Sequence, residues 1–244
     1  MIIYDPSPKT SFAPCDLKFD IRTDKCLLVF DDEIWEDYIL PNKDLGSFPV
    51  KNTFGRIFDT YRYIEINNEK ILLVYPTTGS AGSVCDMELL IASGIKDFIA
   101  FGTCGRLNKN IAKNTIILPT AAYREEGTSY HYLPDSDEIV MDQSLLYKAK
   151  TIFDKTTLTA VEGKIWTTDA VYRETFGKIK LMQERGCLGV DMELSALLAL
   201  AKYRGVKFFQ FLIGEDAVDG EAKTPLIRNN EEIFNTAISL LIQK

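Results

Sequence analysis

The sequence predicts an α/β fold: one domain spanning residues 1–244, built on a single mixed β-sheet with helices on both faces. Three observations predict it. Short β-rich apolar runs alternate with segments of helical periodicity, which is typical of strands joined by crossover helices. With 244 residues and 46% apolar composition, the chain is long enough for one large core and does not require two domains. No internal repeat or low-complexity tract divides the sequence.

The strands are predicted where β-branched and aromatic residues concentrate between turn residues. Asn67 and Asn68 separate two such runs, and this pair is typical of a tight turn, so the two runs are predicted to form an antiparallel hairpin. The predicted strands cover residues 26–30, 56–66, 70–76, 97–102, 114–120, 161–168 and 207–214.

The helices are predicted where apolar residues recur every three to four positions. The segment after Gly189 is apolar on nearly every side, which indicates a helix that is buried together with its N-terminal end. Residues 133–143 are predicted to form a loop. The predicted helices cover residues 33–39, 81–94, 143–153, 170–185, 192–204 and 226–242.

Composition excludes several classes of partner. The net charge of -7 argues against a nucleic-acid backbone or an anionic membrane, because both require a basic face, whereas a small-molecule substrate is compatible with it. No apolar run reaches the length of a membrane span and the first residues lack a signal-peptide pattern, so we expect a cytoplasmic protein. The five cysteines are scattered and accompanied by a single histidine, so neither a disulfide framework nor a metal site is expected.

Glycines and polar residues concentrate where predicted strands end. Gly102 ends the predicted strand at 97–102 and Gly105 follows it, and both glycines allow a tight turn and a close approach to a ligand. Open α/β sheets bind ligands at the carboxyl ends of their strands. The loops that follow the strands at 97–102, 161–168 and 207–214 are therefore predicted to line one crevice.

Two carboxylates stand at the start of the buried helix that follows Gly189. Backbone N–H groups and the helix dipole favour negative charge there, so Asp191 is either a helix N-cap or a ligand-binding residue. Glu193 is a second buried anion and requires hydrogen-bond donors of its own. A vicinal diol, such as that of a ribose, would supply them, and Met192 would offer an apolar surface to the sugar.

The segment GVDMELSALLALAKYRGVK, residues 189–207, resembles the ribose-binding segment of the nucleoside phosphorylase family. This family includes uridine phosphorylases, hexameric-type purine nucleoside phosphorylases and methylthioadenosine nucleosidases. Further matching segments follow the family's order, and the resemblance is clearest over residues 50–244. It implies a nucleoside phosphorylase-like fold that cleaves N-glycosidic bonds without a cofactor, with phosphate as co-substrate if the reaction is phosphorolytic, and that assembles as a homo-oligomer, either a dimer or a hexamer.

The resemblance implies a role for each matching residue around the sugar. Glu193 would accept hydrogen bonds from the ribose 2′- and 3′-hydroxyls, and Met192 would pack on the sugar. Asp191 stands where the family normally has glutamate. The other substrate contacts implied are Thr103, Gly79 and Gly105.

The resemblance also implies roles at the base. Trp166 stands where purine enzymes place an aromatic residue against the base, although a tryptophan at a strand end is also common in a core. Asp216 stands where purine-cleaving members keep an acid near N7, and protonation there makes the base a better leaving group. A Gln-x-Arg spacing typical of uridine enzymes is absent after Trp166, which favours a purine.

The phosphate site departs from the family pattern. Arg56, contributed by a neighbouring subunit, Thr103 and Arg106 are the implied phosphate-binding residues. However, Ala100 or Phe101 stands where phosphorolytic members carry an arginine. Residues 31–33, Asp-Asp-Glu, replace a glycine- and arginine-containing loop, and these acids would repel phosphate. They form either a solvated turn or a counterpart of the acidic stretch with which nucleosidases orient water.

Three functions follow, and the sequence leaves them open. The first is a nucleoside phosphorylase-type glycosyltransferase of nucleotide salvage that cleaves a purine nucleoside to free base and ribose 1-phosphate. The second is a phosphate-independent nucleosidase. The third is a nucleoside-binding or storage protein without turnover, which Glu193 and Asp216 argue against, because a site without activity has no need of both anions.

Overall fold

The computed structural model describes residues 4–14, 21–42, 46–47, 50–51, 57–58, 61–66, 68–218 and 228–243. Ten of the strands within these ranges form one mixed sheet, and β3 and β4 form a separate pair. The strands are β1 Lys25–Phe30, β2 Gly46–Ser47, β3 Val50–Lys51, β4 Ile57–Phe58, β5 Tyr61–Ile66, β6 Glu69–Val74, β7 Asp97–Arg106, β8 Ile116–Glu125, β9 Glu138–Val140, β10 Ala160–Thr168, β11 Cys187–Asp191 and β12 Lys207–Ala217.

The centre of the sheet is parallel. Strand β1 pairs in parallel with β6 and β7, and β7 pairs in parallel with β12, so the carboxyl ends of these four strands lie at one edge. Strands β8, β10 and β11 are parallel to one another but antiparallel to this group, through the β12–β8 and β11–β7 pairs. Because β11 pairs with both β10 and β7, this part of the sheet closes on itself and brings the end of β11 to the end of β7.

The helices are α1 Ser80–Ala92, α2 Gln143–Phe153, α3 Phe176–Glu184, α4 Leu194–Arg204 and α5 Asn230–Ile242, and Ile34–Ile39 forms a π-helical segment. Helix α4 is buried along most of its length, as its apolar pattern predicts, and it packs against α1. Helix α2 packs against α5. Because α1 follows β6 and α4 follows β11, the N-terminal ends of these two helices meet beside the end of β7.

The structure confirms the predicted α/β class and most of the strand cores, including the antiparallel β5–β6 hairpin, in which Asn68 has a φ of 62°. One expectation is wrong, since residues 138–140, within the segment predicted as a loop, form β9 against β8. Residues 187–191, for which no element was predicted, form β11, so Asp191 ends a strand directly before the predicted helix 192–204.

Other boundaries shift by a few residues. The predicted helix 170–185 is a 3₁₀ turn at Val171–Arg173 followed by α3, and the predicted strand 56–66 is observed as Ile57–Phe58 and Tyr61–Ile66. The beginning of the predicted helix 226–242 lies outside the described residues. Among the described helices, the structure contains none with the length and apolar composition needed to cross a membrane.

Candidate active site

A cavity of about 670 Å³ opens at the carboxyl ends of β1, β6, β7 and β12. It lies where the N-terminal ends of α1 and α4 meet, as the strand-end prediction requires. Five of the sequence-predicted site residues line it: Thr103, Gly105, Asp191, Met192 and Glu193.

Glu193 is buried at the start of α4 and is held by the chain before α1. The Gly79 N–H donates to Glu193 Oε1 over 2.7 Å, and the Ser80 hydroxyl donates to the Met192 carbonyl over 2.7 Å. Gly79 has a φ of 91° and a ψ of 152°, a conformation that only glycine adopts readily. The loop at Gly79 therefore orients the Glu193 carboxylate in the cavity wall.

Asp191 acts locally as a cap for α4. Its Oδ2 accepts from the Leu194 N–H over 2.8 Å and its Oδ1 accepts from the Thr167 hydroxyl over 2.7 Å. The Thr167 hydroxyl in turn accepts from the Ser195 N–H over 3.1 Å. These bonds support the N-cap interpretation of Asp191, and they connect β10, β11 and α4 at the cavity.

Burial raises the pKa of both carboxyls at this site. For Glu193 the negative charge of Asp191 adds to the effect of burial, while the hydrogen bond from the Gly79 N–H opposes it. For Asp191 the hydrogen bonds from Thr167 and from the start of α4 oppose the effect of burial. Glu193 therefore holds its proton at a higher pH than an ordinary glutamate.

The cavity has an acidic lining. Among the described lining residues, Lys113 is the one lysine or arginine. The carboxylates of the lining are Asp32, Glu174, Asp191, Glu193 and Glu215. An anionic ligand therefore meets repulsion here, whereas positive charge that develops on a bound sugar is stabilised.

The three acids after β1 divide between two environments. Asp31 is buried, accepts from the Ile34 N–H over 2.9 Å and forms an ion pair with the buried Arg228. Glu33 also approaches Arg228, at 3.4 Å. Asp32 lines the cavity and accepts a hydrogen bond from the Tyr75 hydroxyl. Among these acids the structure thus brings Asp32 to the cavity, and the solvated-turn interpretation is wrong for the buried Asp31.

Two of the predicted ligand contacts lie elsewhere in the core. Trp166 has an exposed fraction of 0%, packs with Leu107 and Val190, and donates from Nε1 to Glu125 over 2.8 Å. Arg106 is also buried, and its guanidinium donates to the carbonyl oxygens of Glu215 and Ile111. These placements correct the base-stacking role expected of Trp166 and the phosphate-binding role expected of Arg106, because neither residue is in the cavity lining.

Two further predicted residues cannot be placed in the same way. Arg56 lies outside the described residues. Asp216 belongs to β12, but its side chain lies outside the described part of the chain. Their roles remain predictions from the sequence.

Sequence reasoning missed several lining residues. Lys113 and Glu174 lie in loops, and nothing in their local sequence distinguishes them from other surface charges. Gln210 was detectable, because it is the one polar residue in the apolar run FFQFLI, and a polar side chain inside a buried strand requires a partner. Burial and the charge of Glu125 raise the pKa of Glu174, which is consistent with a position on the cavity wall.

The described fold and the cavity place the chain in a known class. The sequence profile described as the Phosphorylase superfamily matches residues 31–243, and the chain belongs to this family. It is 29% identical over 230 residues to the DeoD-type purine nucleoside phosphorylase of Bacillus cereus, which covers 87% of this chain and 96% of that relative.

Solved structures share the fold. A purine nucleoside phosphorylase from Toxoplasma gondii in complex with immucillin-H has a TM-score of 0.74 and 20% identity, covering 91% of this chain and 89% of its own. An AMP nucleosidase from Bacteroides thetaiotaomicron has a TM-score of 0.71 and 21% identity, covering 90% and 87%.

Proposed function

We propose that this chain cleaves the N-glycosidic bond of a purine nucleoside and transfers the ribosyl group to phosphate, giving free base and ribose 1-phosphate. The observation that carries the proposal is Glu193, a buried carboxylate in the cavity wall that the Gly79 N–H orients and that lies next to Met192. The purine nucleoside phosphorylase relative supports it.

The sugar is bound by Glu193 and Met192. The ionised carboxylate accepts from the 2′- and 3′-hydroxyls, and the thioether packs against the ring. As the glycosidic bond breaks, the ribosyl group gains positive charge. The carboxylates of the lining stabilise that charge in the transition state because they are already in place.

We assign the base to the apolar lining residues Val171, Val190, Ala217 and Val218. Apolar side chains suit the faces of a purine ring. We assign to Asp216, which precedes Ala217 in β12, the delivery of a proton to N7 of the leaving base.

The acceptor phosphate is bound by Thr103 in the cavity and by Arg56 from a neighbouring subunit. Arg106 has no part in this site because its guanidinium is committed to backbone carbonyls. The active species is accordingly a homo-oligomer of single-domain chains in the cytoplasm, and the reaction needs no cofactor.

A second candidate is hydrolysis of the same bond, with water as the acceptor. The acidic lining favours it, since a phosphate dianion is repelled by the carboxylates while water is not. Asp32, which accepts from the Tyr75 hydroxyl, would take a proton from the attacking water.

The test is a panel of purine and pyrimidine nucleosides assayed for release of free base in phosphate buffer and in phosphate-free buffer. We expect free base to be released from purine nucleosides, and only when phosphate is present. Release at an unchanged rate without phosphate would establish hydrolysis, and release from no nucleoside under either condition would contradict both candidates.

A further inference from the structure

Gln210 is a buried side chain whose polar atoms are not used by the fold. It lies in β12 with an exposed fraction of 0%, and it belongs to the cavity lining. Neither its Oε1 nor its Nε2 has a hydrogen-bond partner among the described residues. Burying an amide without partners costs free energy, so such a group in a cavity wall indicates a ligand that supplies the missing bonds.

The side chains paired with Gln210 through β7 and β1 offer this amide nothing to bind. Gln210 is paired with Ala100 in β7, and Ala100 is paired with Leu28 in β1. Residues paired across a sheet project to the same face, so the side chains beside Gln210 are apolar. Since no other described residue bonds to the amide either, a ligand in the cavity is the partner that the described structure leaves for it.

The position of Gln210 along β12 indicates which part of a ligand it meets. Ala217 belongs to the lining residues assigned above to the base, and since a strand rises about 3.3 Å per residue, Gln210 is on the order of 20 Å from it along β12. Val190 pairs with Gly105 in antiparallel register, so residues 191–193 follow in the direction of Gly102 and of Gln210. The predicted sugar contacts thus lie between the residues assigned to the base and Gln210.

An acceptor that displaces the base attacks the sugar from the face opposite the leaving group. We propose that Gln210 binds the O–H group of the glycosyl acceptor, and this inference rests on the function proposed above. The amide oxygen accepts from the O–H, and the amide nitrogen donates to an oxygen lone pair of the acceptor. The amide is uncharged, so Gln210 binds the acceptor by hydrogen bonds alone and leaves the net charge of the lining unchanged.

Two acceptors share this chemistry: water and the P–OH group of protonated phosphate. In both reactions an acceptor oxygen forms a bond to C1′, and the C1′–N bond breaks with its electron pair passing to the base. The proton lost by the acceptor balances the proton gained by the base. The experiment distinguishes the two acceptors.

The test replaces the amide by an apolar side chain of similar length, Gln210→Met. The matched control is Gln143→Met at the start of α2, where the amide Nε2 donates to the Met141 carbonyl over 3.1 Å, outside the cavity. Initial rates of base release are measured over a range of phosphate concentrations and without phosphate, together with the KM for the nucleoside and the unfolding temperature.

We expect Gln210→Met to reduce acceptor use by at least about tenfold, seen in kcat/KM for phosphate or, if water is the acceptor, in the phosphate-independent kcat. The nucleoside KM should change by less than about twofold, and the unfolding temperature should not fall, because an unpartnered amide is removed. Gln210→Asn, which withdraws the amide by one methylene, carries the same kinetic expectation. The control should match the wild type in every measurement.

Unchanged acceptor kinetics in both variants, or a loss confined to the nucleoside KM, would overturn the inference. A wild type that releases base with neither acceptor is a different result: the proposed function then fails, and the inference falls with it. A phosphate-dependent wild-type rate identifies phosphate as the group bound by Gln210, and a phosphate-independent rate identifies water.

Discussion

Glu193 has an exposed fraction of 7%, and the role proposed for it, accepting hydrogen bonds from the ribose hydroxyls, is performed best by an ionised carboxylate. Burial and the charge of Asp191 raise the pKa of Glu193, and the hydrogen bond from the Gly79 N–H opposes that rise. An ionised carboxylate accepts stronger hydrogen bonds from hydroxyl groups than a protonated carboxyl does. The activity of the protein is therefore expected to change with pH in a range that lies above the one in which ordinary carboxyl groups titrate.

The first prediction concerns Glu193→Gln, which keeps the shape and removes the charge. Wild-type kcat/KM should fall on acidification at a pH above the ordinary carboxyl range, because protonation of Glu193 removes its negative charge and weakens the hydrogen bonds that it accepts. The variant should lose about 2 kcal/mol of transition-state stabilisation at neutral pH and should lack this acidic limb. Steady-state pH profiles of the two proteins check it, and an identical acidic limb in both would assign the titration to another group.

The same substitution has an effect on stability. The folded state holds the Glu193 proton more tightly than the unfolded chain does, so the contribution of this residue is fully present below the ordinary pKa and is lost as pH rises through the raised value. Glu193→Gln should therefore be more stable than the wild type at neutral pH and similar to it in acid. Urea unfolding at several pH values measures this difference.

The second prediction concerns Asp216 as the acid. Asp216→Asn keeps the shape but cannot deliver a proton, so a purine nucleoside with a poor leaving group should suffer a loss of about 10²–10³ in rate. A 7-methylated purine nucleoside, whose base is already activated, should lose much less. Rates on both substrates make the comparison, and equal losses would make Asp216 a positioning residue.

At this scale the sequence predicts the positions of Met192 and Glu193 in the cavity wall better than those of Trp166 and Arg106. The positions of Met192 and Glu193 follow from two local facts: an apolar helix and carboxylates at its start. The burial of Trp166 and Arg106 depends on which strands surround them, and that information is not in their own segments. Gln210 stands out in the sequence as a polar residue in an apolar strand. Its position beside the cavity is visible only in the structure.

The loop before α1 connects that helix to the start of α4, because its Gly79 N–H donates to the Glu193 carboxylate. Gly79 adopts a φ of 91°, and a Cβ there would meet nothing within 4 Å, so a substitution acts through backbone strain alone. Gly177 in α3 also has open space but carries no positive φ. These two glycines form a matched pair.

The third prediction is that Gly79→Ala destabilises the fold by about 1–3 kcal/mol and lowers activity, because relaxation of the strain moves the N–H that orients Glu193. Gly177→Ala should stabilise by about 0.5 kcal/mol and leave activity unchanged. Urea unfolding and kcat/KM are measured for both. Equal behaviour of the two variants would show that the Gly79 conformation has no role.

Elements were predicted where periodicity was strong and missed where they were short. Strand β9 has three residues, and β11 leads directly into the apolar pattern of α4, so neither stands apart from its neighbours in the sequence. The pairing of β11 with β7 joins segments distant in the sequence, and local patterns carry no information about such a pair. That pairing is what brings residues 191–193 to the cavity.

At the scale of the whole molecule, the cavity draws its lining from segments spread over residues 30–218. Among the described lining residues the carboxylates outnumber the cations, and Arg56 from a neighbouring subunit is the cation proposed to compensate. The fourth prediction follows from this borrowing. Arg56→Ala and Asp216→Ala are each expected to be inactive, and mixing them under conditions that allow subunits to exchange should restore part of the activity, since some mixed pockets contain both residues.

The control for this experiment is each variant incubated alone under the same exchange conditions, which should stay inactive. Light scattering establishes the assembly state of the wild type. A fully active monomer, or no recovery on mixing after proven exchange, would show that each chain completes its own site.

The most direct test of the proposed function follows both products of one reaction, using the wild-type protein with a purine nucleoside and phosphate. Free base is measured by chromatography and phosphate esters by ³¹P NMR. We expect free base and ribose 1-phosphate to form in equal amounts, and we expect Glu193→Ala to form neither. Continued absence of free base with the folded wild-type protein, across purine nucleosides and with or without phosphate, would contradict the proposed function.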